Sequence, residues 1–308
     1  MLKSIALCCI LIAHAQLQPQ SIIPKEEGGQ VILDLSGQAL TNLNDLAKIP
    51  GIEKVTVLGL ANNNLTTLTP NDLDSCLHLT HLDISHNQLH TFDSQALKSH
   101  HKLVHLDLSH NQLHTISAFP ERLQLSSLML NNNRLKSIDA TLLESLSRLT
   151  VLDLSRNQIE AFPHLHNLSQ LTNLNLSRNK LTAFSRNILK GLGSLRNANF
   201  SHNKIHQIKT LGGMKNIVSL NLSNNHIWNL EEFDFSIFAS LSWLNLRNNQ
   251  IINIDSLVTL GQLPALLKLD LDGNNIIDLQ PLNSLLEKQQ CTITTNRDVF
   301  FRKGPKLI

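Results

Sequence analysis

Leu103-Val-His-Leu-Asp-Leu-Ser-His-Asn-Gln-Leu113 is the cleanest spelling of a sentence, L-x-x-L-x-L-x-x-N-x-L, that the chain writes eleven times between Gln30 and Leu279. Self-similarity at a period of about 20–29 residues marks a solenoid, in which no unit can bury its own apolar face and each leans on its neighbours. The asparagine position is held in turn by Gln38, Asn63, Asn87, Asn111, Asn133, Asn157, Asn179, Asn203, Asn225, Asn249 and Asn274. From Asn87 to Asn249 spacings of 24 and 22 alternate, so the repeating object there is a pair of coils. In each unit two leucines flank a residue pointing the other way, the period-two pattern of a short strand with one face buried. Stacking the units makes these strands parallel neighbours. The side-chain amide of the asparagine offers an acceptor and two donors to main-chain groups that would otherwise be buried unpaired.

Between the strands the pattern is looser. Ala140-Thr-Leu-Leu-Glu-Ser-Leu146 and Ser185-Arg-Asn-Ile-Leu-Lys-Gly-Leu192, in long coils, space their leucines for one or two helical turns. Short coils carry Pro120, Pro163 or Gly212-Gly213 there and are expected to stay non-helical. Gln280–Lys288 reads as a closing helix and Cys291–Thr295 as a last strand, with residues 16–29 covering the opposite end.

The termini suggest a compartment. Met1-Leu-Lys3 is a short basic start, Ser4–Ile12 is mostly apolar, and Ala13-His14-Ala15 has the small-x-small form of a cleavage site, so residues 1–15 read as a secretory signal. The apolar run is too short to span a bilayer, and no second such run follows. The expected organisation is therefore signal 1–15, N-terminal cap 16–29, eleven repeats 30–279, and C-terminal cap and tail 280–308, in a secreted, extracellular protein.

Charge is nearly balanced, 26 Lys plus Arg against 24 Asp plus Glu, which argues against a nucleic-acid partner. Tyrosine is absent and Trp228 and Trp243 are the only tryptophans, so the surface lacks the usual aromatic richness of interface hot spots. Of four cysteines, Cys8 and Cys9 lie in the signal. Cys76 falls thirteen residues after Asn63, an offset held by Leu146, Leu192 and Phe238 elsewhere, and reads as a buried apolar thiol. Cys291 lies eight coils further on, too far for an internal bridge, and is the candidate for a disulfide to another chain.

Function must then sit on the strand face. The residue between the core leucines forms one column: Asp34, Gly59, Asp83, Asp107, Met129, Asp153, Asn175, Asn199, Asn221, Asn245 and Asp270. Two residues earlier runs a second, from Ile32 and Val57 through His81, His105, Ser127, Val151, Asn173, Asn197, Ser219 and Trp243 to Lys268. A turn-edge column holds His86, His110, Asn132, Arg156, Arg178, His202, Asn224 and Asn248. Two neighbourhoods stand out. His81, Asp83, His105 and Asp107 form a block whose imidazoles and carboxylates suit a pH-responsive patch; as metal ligands they would be splayed on a flat sheet, and no metal or other cofactor is expected. The second gathers Asn197, Asn199, Ser219, Asn221, Trp243, Asn245 and Arg247, an indole among amides suited to a polar peptide or glycan, and Asp153 and Asn173 of the same columns are further candidate binding residues. The sequons at Asn175, Asn199 and Asn221 arise from the repeat itself, whereas Asn64 and Asn167 fall on turns and are the candidates for glycosylation. Ser, His and Asp abound, but at repeat-dictated positions on an open sheet, so no catalysis is expected.

The eleven copies resemble the leucine-rich-repeat superfamily over about 250 residues. That resemblance implies an α/β fold, a curved leucine-rich-repeat solenoid (horseshoe) with a parallel concave β-sheet and short helical or irregular convex segments. It says little about function, because one scaffold serves many binding roles. The signal, the mixed coil lengths and the lack of a spanning segment are similar to secreted leucine-rich proteins of animal innate immunity, especially the coil-less insect leucine-rich immune proteins. This implies recognition of another extracellular protein or a glycan. The chain departs from that group in having neither cysteine-rich caps nor a heptad coiled coil. The competing expectation is an intracellular adaptor of the phosphatase-regulatory type, with the N-terminus misread as a signal.

Overall fold

The computed structural model describes residues 22–163, 165, 167–183, 189, 191–208, 214–230, 235–287, 291–295 and 299–300. The expected signal, Cys8 and Cys9, most of the segment 185–192, Gly212-Gly213 and the tail 301–308 lie outside the described residues. The chain divides after Leu125 into two compact units.

In the first unit the strands are β1 (Lys25–Glu27), β2 (Gln30–Asp34), β3 (Val57–Gly59), β4 (His81–Asp83), β5 (Thr91–Phe92), β6 (His105–Asp107) and β7 (Thr115–Ile116). β2, β3, β4 and β6 are parallel and in the register the repeat dictates, Leu33 beside Leu58 beside Leu82 beside Leu106. These leucines are almost fully buried, each contributing about 1.5–3 kcal/mol relative to exposure. β1 runs antiparallel to β2 and is exposed and charged throughout, which covers the free backbone groups of the first coil.

The second unit holds β8 (Ser127–Met129), α1 (Ala140–Glu144), β9 (Val151–Asp153), β10 (Asn173–Asn175), β11 (Asn197–Asn199), β12 (Ser219–Asn221), β13 (Trp243–Asn245), β14 (Lys268–Asp270), α2 (Asn283–Leu286), β15 (Thr292–Thr294) and β16 (Val299–Phe300). β8 to β15 are parallel neighbours, and β16 returns antiparallel on β15. The expected helical turn in the first long coil of this unit is α1, capped by the Asp139 carboxylate accepting the Thr141 amide. The closing helix is a 3-10 turn, Gln280–Leu282, that runs into α2. Around Pro120 and Pro163 the backbone is irregular.

The asparagine ladder holds consecutive coils together. Asn203 is typical: its Oδ1 accepts the Leu181 amide of the preceding coil at 3.0 Å, and its Nδ2 donates to the Leu176, Phe200 and Ser201 carbonyls at 2.9–3.3 Å. Asn63, Asn87, Asn157, Asn225 and Asn249 repeat the arrangement. To aim this amide inward the preceding residue turns left-handed. His86, His110, Asn132, Arg156, Arg178, His202, Asn224 and Asn248 all have φ between 52° and 56°, a conformation that costs a non-glycine residue roughly 1 kcal/mol.

A second ladder follows the asparagines. β5 pairs with β7 in parallel in the first unit, and bridges join Ser137 to Ala161 and Gln207 to both Ala183 and Asn229 in the second. Each of these positions lies four residues after its ladder asparagine.

Candidate functional site

Register places the sequence-derived columns side by side on the sheet. In the first unit His81 is paired with His105 and Asp83 with Asp107. The imidazoles of His81 and His105 stack at 4.4 Å between centroids, and those of His86 and His110 at 3.9 Å. Stacked rings do not converge on a point, and among the described residues no three His, Cys, Asp or Glu side chains are grouped to hold a metal ion. His81 is held below the usual imidazole value, first by burial and then by the proximity of His105.

In the second unit Asn197, Ser219 and Trp243 are register neighbours, as are Asn199, Asn221 and Asn245. Asn173 accepts a bond from Asn197 at 3.0 Å, and Asp153 accepts one from Asn175, also at 3.0 Å. Trp243 is half-buried with its indole N–H enclosed and unbonded, so what it offers a partner is part of its ring. The Lys268 ammonium stands 6.0 Å from the ring centroid, within cation–π range. Arg247 is exposed and paired with Asp272 at 2.9 Å. Lys268, the last member of the second column, and Asp272, which no column included, therefore belong to this neighbourhood.

The acidic-to-amide column has a structural duty that the sequence reading did not assign. One side-chain oxygen of Asp83, Asp107, Asp153, Asn175, Asn199, Asn221 and Asn245 accepts the backbone N–H two residues on, at 2.8–3.1 Å. These are Asx turns that start the bend toward the ladder asparagine. Asp and Asn both perform that task, and the second side-chain atom, Oδ2 or Nδ2, faces the neighbouring coils, where those of Asp153 and Asn175 bond to each other.

Large exposed apolar side chains are unevenly placed. Among the described residues of the second unit they are Trp228, Ile237, Ile252, Val258, Leu267 and Ile277. Trp228, Ile252 and Ile277, 48%, 51% and 75% exposed, each lie three residues after a ladder asparagine and so form a stripe beside the turn edge on successive coils. The edge between this stripe and the Trp243 patch carries Asn224 and Asn248, bonded to each other at 3.0 Å. The coils bearing Trp243 on the sheet thus also carry the unit's exposed apolar surface.

Of the sequons, Asn64 and Asn167 are exposed, as expected for turns. Asn175, Asn199 and Asn221 are half-buried, with the serine of each sequon buried. Cys76 is fully buried, its thiol pushed up to about 11 by desolvation against the opposing bond to Ser75. Cys291 is also buried, so a bridge from it to another chain would require the segment leading into β15 to lift.

Among the described residues no helix is long and apolar enough to cross a membrane. No curated protein matches the sequence as a relative. Among solved structures, a leucine-rich-repeat protein of Leptospira interrogans is similar at 25% identity and a TM-score of 0.54, covering 79% of this chain and 72% of that one. Toll-like receptor 13, solved in a complex with a single-stranded RNA, is similar at 22% identity and a TM-score of 0.70, covering 85% of this chain and 42% of that one. Toll, solved with Spätzle in Drosophila, gives 22% and 0.59, covering 80% and 38%. The chain spans under half the length of the two receptor chains, and at these identities they attest the fold alone. The family profile described as leucine rich repeat matches residues 53–113, 124–181, 169–227 and 215–276, well over half of the sequence, and the chain belongs to the leucine-rich-repeat family.

Proposed function

We propose that this is a secreted, non-catalytic recognition protein whose sheet face in the second unit binds another extracellular protein or a glycan, in innate immunity. The carrying observation is the placement of Trp243, between Ser219 and Lys268 in register and beside the Asn221–Asn245 pair, on the coils that also expose Trp228, Ile252 and Ile277. An indole beside fixed amides supplies contact area with little ordering cost, while the apolar stripe supplies desolvation. His81, Asp83, His105 and Asp107 form a second, polar contact zone on the first unit. The immune reading is supported by the resemblance to secreted insect leucine-rich proteins and, at the level of fold, by the likeness to Toll.

The test is capture from native extracellular fluid by the intact chain, run under non-reducing conditions to reveal any partner held through Cys291. Trp243→Ala combined with Asn221→Ala should abolish capture with thermal unfolding nearly unchanged. Undiminished capture removes the patch from the reading. The intracellular adaptor reading is favoured by one observation: Cys76 is a buried thiol joined in no disulfide, the state a reducing compartment maintains. Recovery from culture medium of a chain beginning at Gln16 would eliminate it.

A further inference from the structure

Thirteen residues after the ladder asparagine of five 24-residue coils stands a fully buried side chain: Cys76, His100, Leu146, Leu192 and Phe238. His100 is the one imidazole in that series. Its Nε2 lies 3.2 Å from the Leu73 carbonyl of the preceding coil, a group that can only accept, so Nε2 carries the proton. Its Nδ1 is buried with no hydrogen-bond partner. The same Leu73 carbonyl accepts the Cys76 amide at 2.8 Å, so His100 is keyed directly to the turn below it. A second proton would place both a cation and an unpaired donor inside an apolar core.

The coil step that begins at His100 is also where imidazoles accumulate. Nine of the fifteen histidines lie between His78 and His114. Four pairs, each 24 residues apart, face one another across this step: His78 with Lys102 at 3.3 Å between nitrogens, and His81 with His105, His86 with His110 and His90 with His114 at centroid separations of 4.4, 3.9 and 6.4 Å. The opposing charges on the two coils are the carboxylates of Asp83, Asp93 and Asp107, each already accepting a backbone amide of its own coil. On the inner turn, Asp74 and His101 are the charged neighbours whose fields reach His100.

We propose that this step is an acid-labile seam: protonation expels His100 from the core on a step where four imidazole-bearing pairs stand face to face, so residues 73–116 open locally before other coils do. In a solenoid stability is a sum of nearest-neighbour terms, and one weakened interface opens without the rest. The seam does not depend on what binds the sheet. Burial holds His100 below the usual imidazole value, with the Leu73 bond and Asp74 acting the other way, and His81 is depressed by burial and by His105. A depressed native value means that the opened state takes up more protons. Closure is therefore favoured above the ordinary imidazole value of about 6.5 and lost as pH falls through the depressed one.

The experiment is amide hydrogen exchange of the intact chain at pH 7.5, 6.5 and 5.5, corrected for intrinsic rates and read by peptide mass. Peptides within 73–116 should lose about tenfold or more of their protection between the extremes, with those from 146–180 changing little. His100→Leu, apolar like Leu146 in the same series, should remove most of that loss. His105→Gln with His110→Gln and His114→Gln, which leaves the core untouched and so remains informative if the first variant misfolds, should reduce it. Uniform loss along the chain, no regional loss in the wild type, or acid opening unchanged in the triple variant would each overturn the seam.

Discussion

Asn175 donates its side-chain amide to the Asp153 carboxylate across 3.0 Å, so the acid of β9 and the amide of β10 on the sheet are bonded to each other. The other Asp153 oxygen accepts the Ser155 amide at 2.8 Å. Asp153→Ala removes both bonds at a half-buried site and should cost about 1–2 kcal/mol. Asp153→Asn keeps the Asx turn and should cost less than half as much. Urea unfolding of the two variants side by side decides it; equal losses would mean that the turn bond contributes nothing.

Asn203 makes four main-chain contacts while only 6% exposed. Replacing it with alanine strands the Leu181 amide and leaves the Leu176 carbonyl with the Asn179 amide as its remaining side-chain donor, and roughly 1–3 kcal/mol of stability should be lost. Because coils couple to their neighbours, exchange protection should fall first in peptides flanking 176–205. A loss under about 0.5 kcal/mol would show that water replaces the amide without penalty.

Cys76 should resist alkylation. Buried and held as a thiol up to about 11, it offers almost no thiolate at pH 8. Iodoacetamide at that pH should leave the Cys76 peptide unmodified in the native chain and modify it fully in urea. Rapid native labelling would mean that the second coil opens on its own.

Glycan mapping of protein produced in a secreting eukaryotic cell should find sugar on Asn64 and Asn167 and none on Asn175, Asn199 or Asn221. The first two are exposed; the other three already accept a backbone amide, and Asn175 also donates to Asp153. A glycan on any of the three would mask the sheet beside Trp243 and count against binding there.

The strand register, the leucine core and the amide ladder were legible in the sequence because each follows from a fixed letter at a fixed period. What escaped reading lies where the letters vary. The second ladder runs through Thr91, Thr115, Ser137, Ala161, Ala183, Gln207 and Asn229, side chains that share no hydrophobic alternation. The left-handed column mixes His, Asn and Arg, with glycine only at its ends, so composition did not announce φ near 55°. His100 occurs once in a series otherwise filled by Cys, Leu and Phe, and an isolated imidazole in a histidine-rich stretch does not stand out until its burial is known. Lys268 and Asp272 gained meaning only through the ring and the guanidinium they approach.

The Asx-turn column has a genetic corollary. Aspartate and asparagine codons differ by one base, and either residue caps the bend at this position. A point mutation can therefore erase or add a negative charge on any coil that carries one of these two residues, with little change in folding, so the electrostatic profile of the sheet is free to drift while the scaffold stands still. The same base change, wherever serine follows two residues later, also writes a glycosylation signal. In this chain a lineage that neutralises the column risks covering the sheet with sugar.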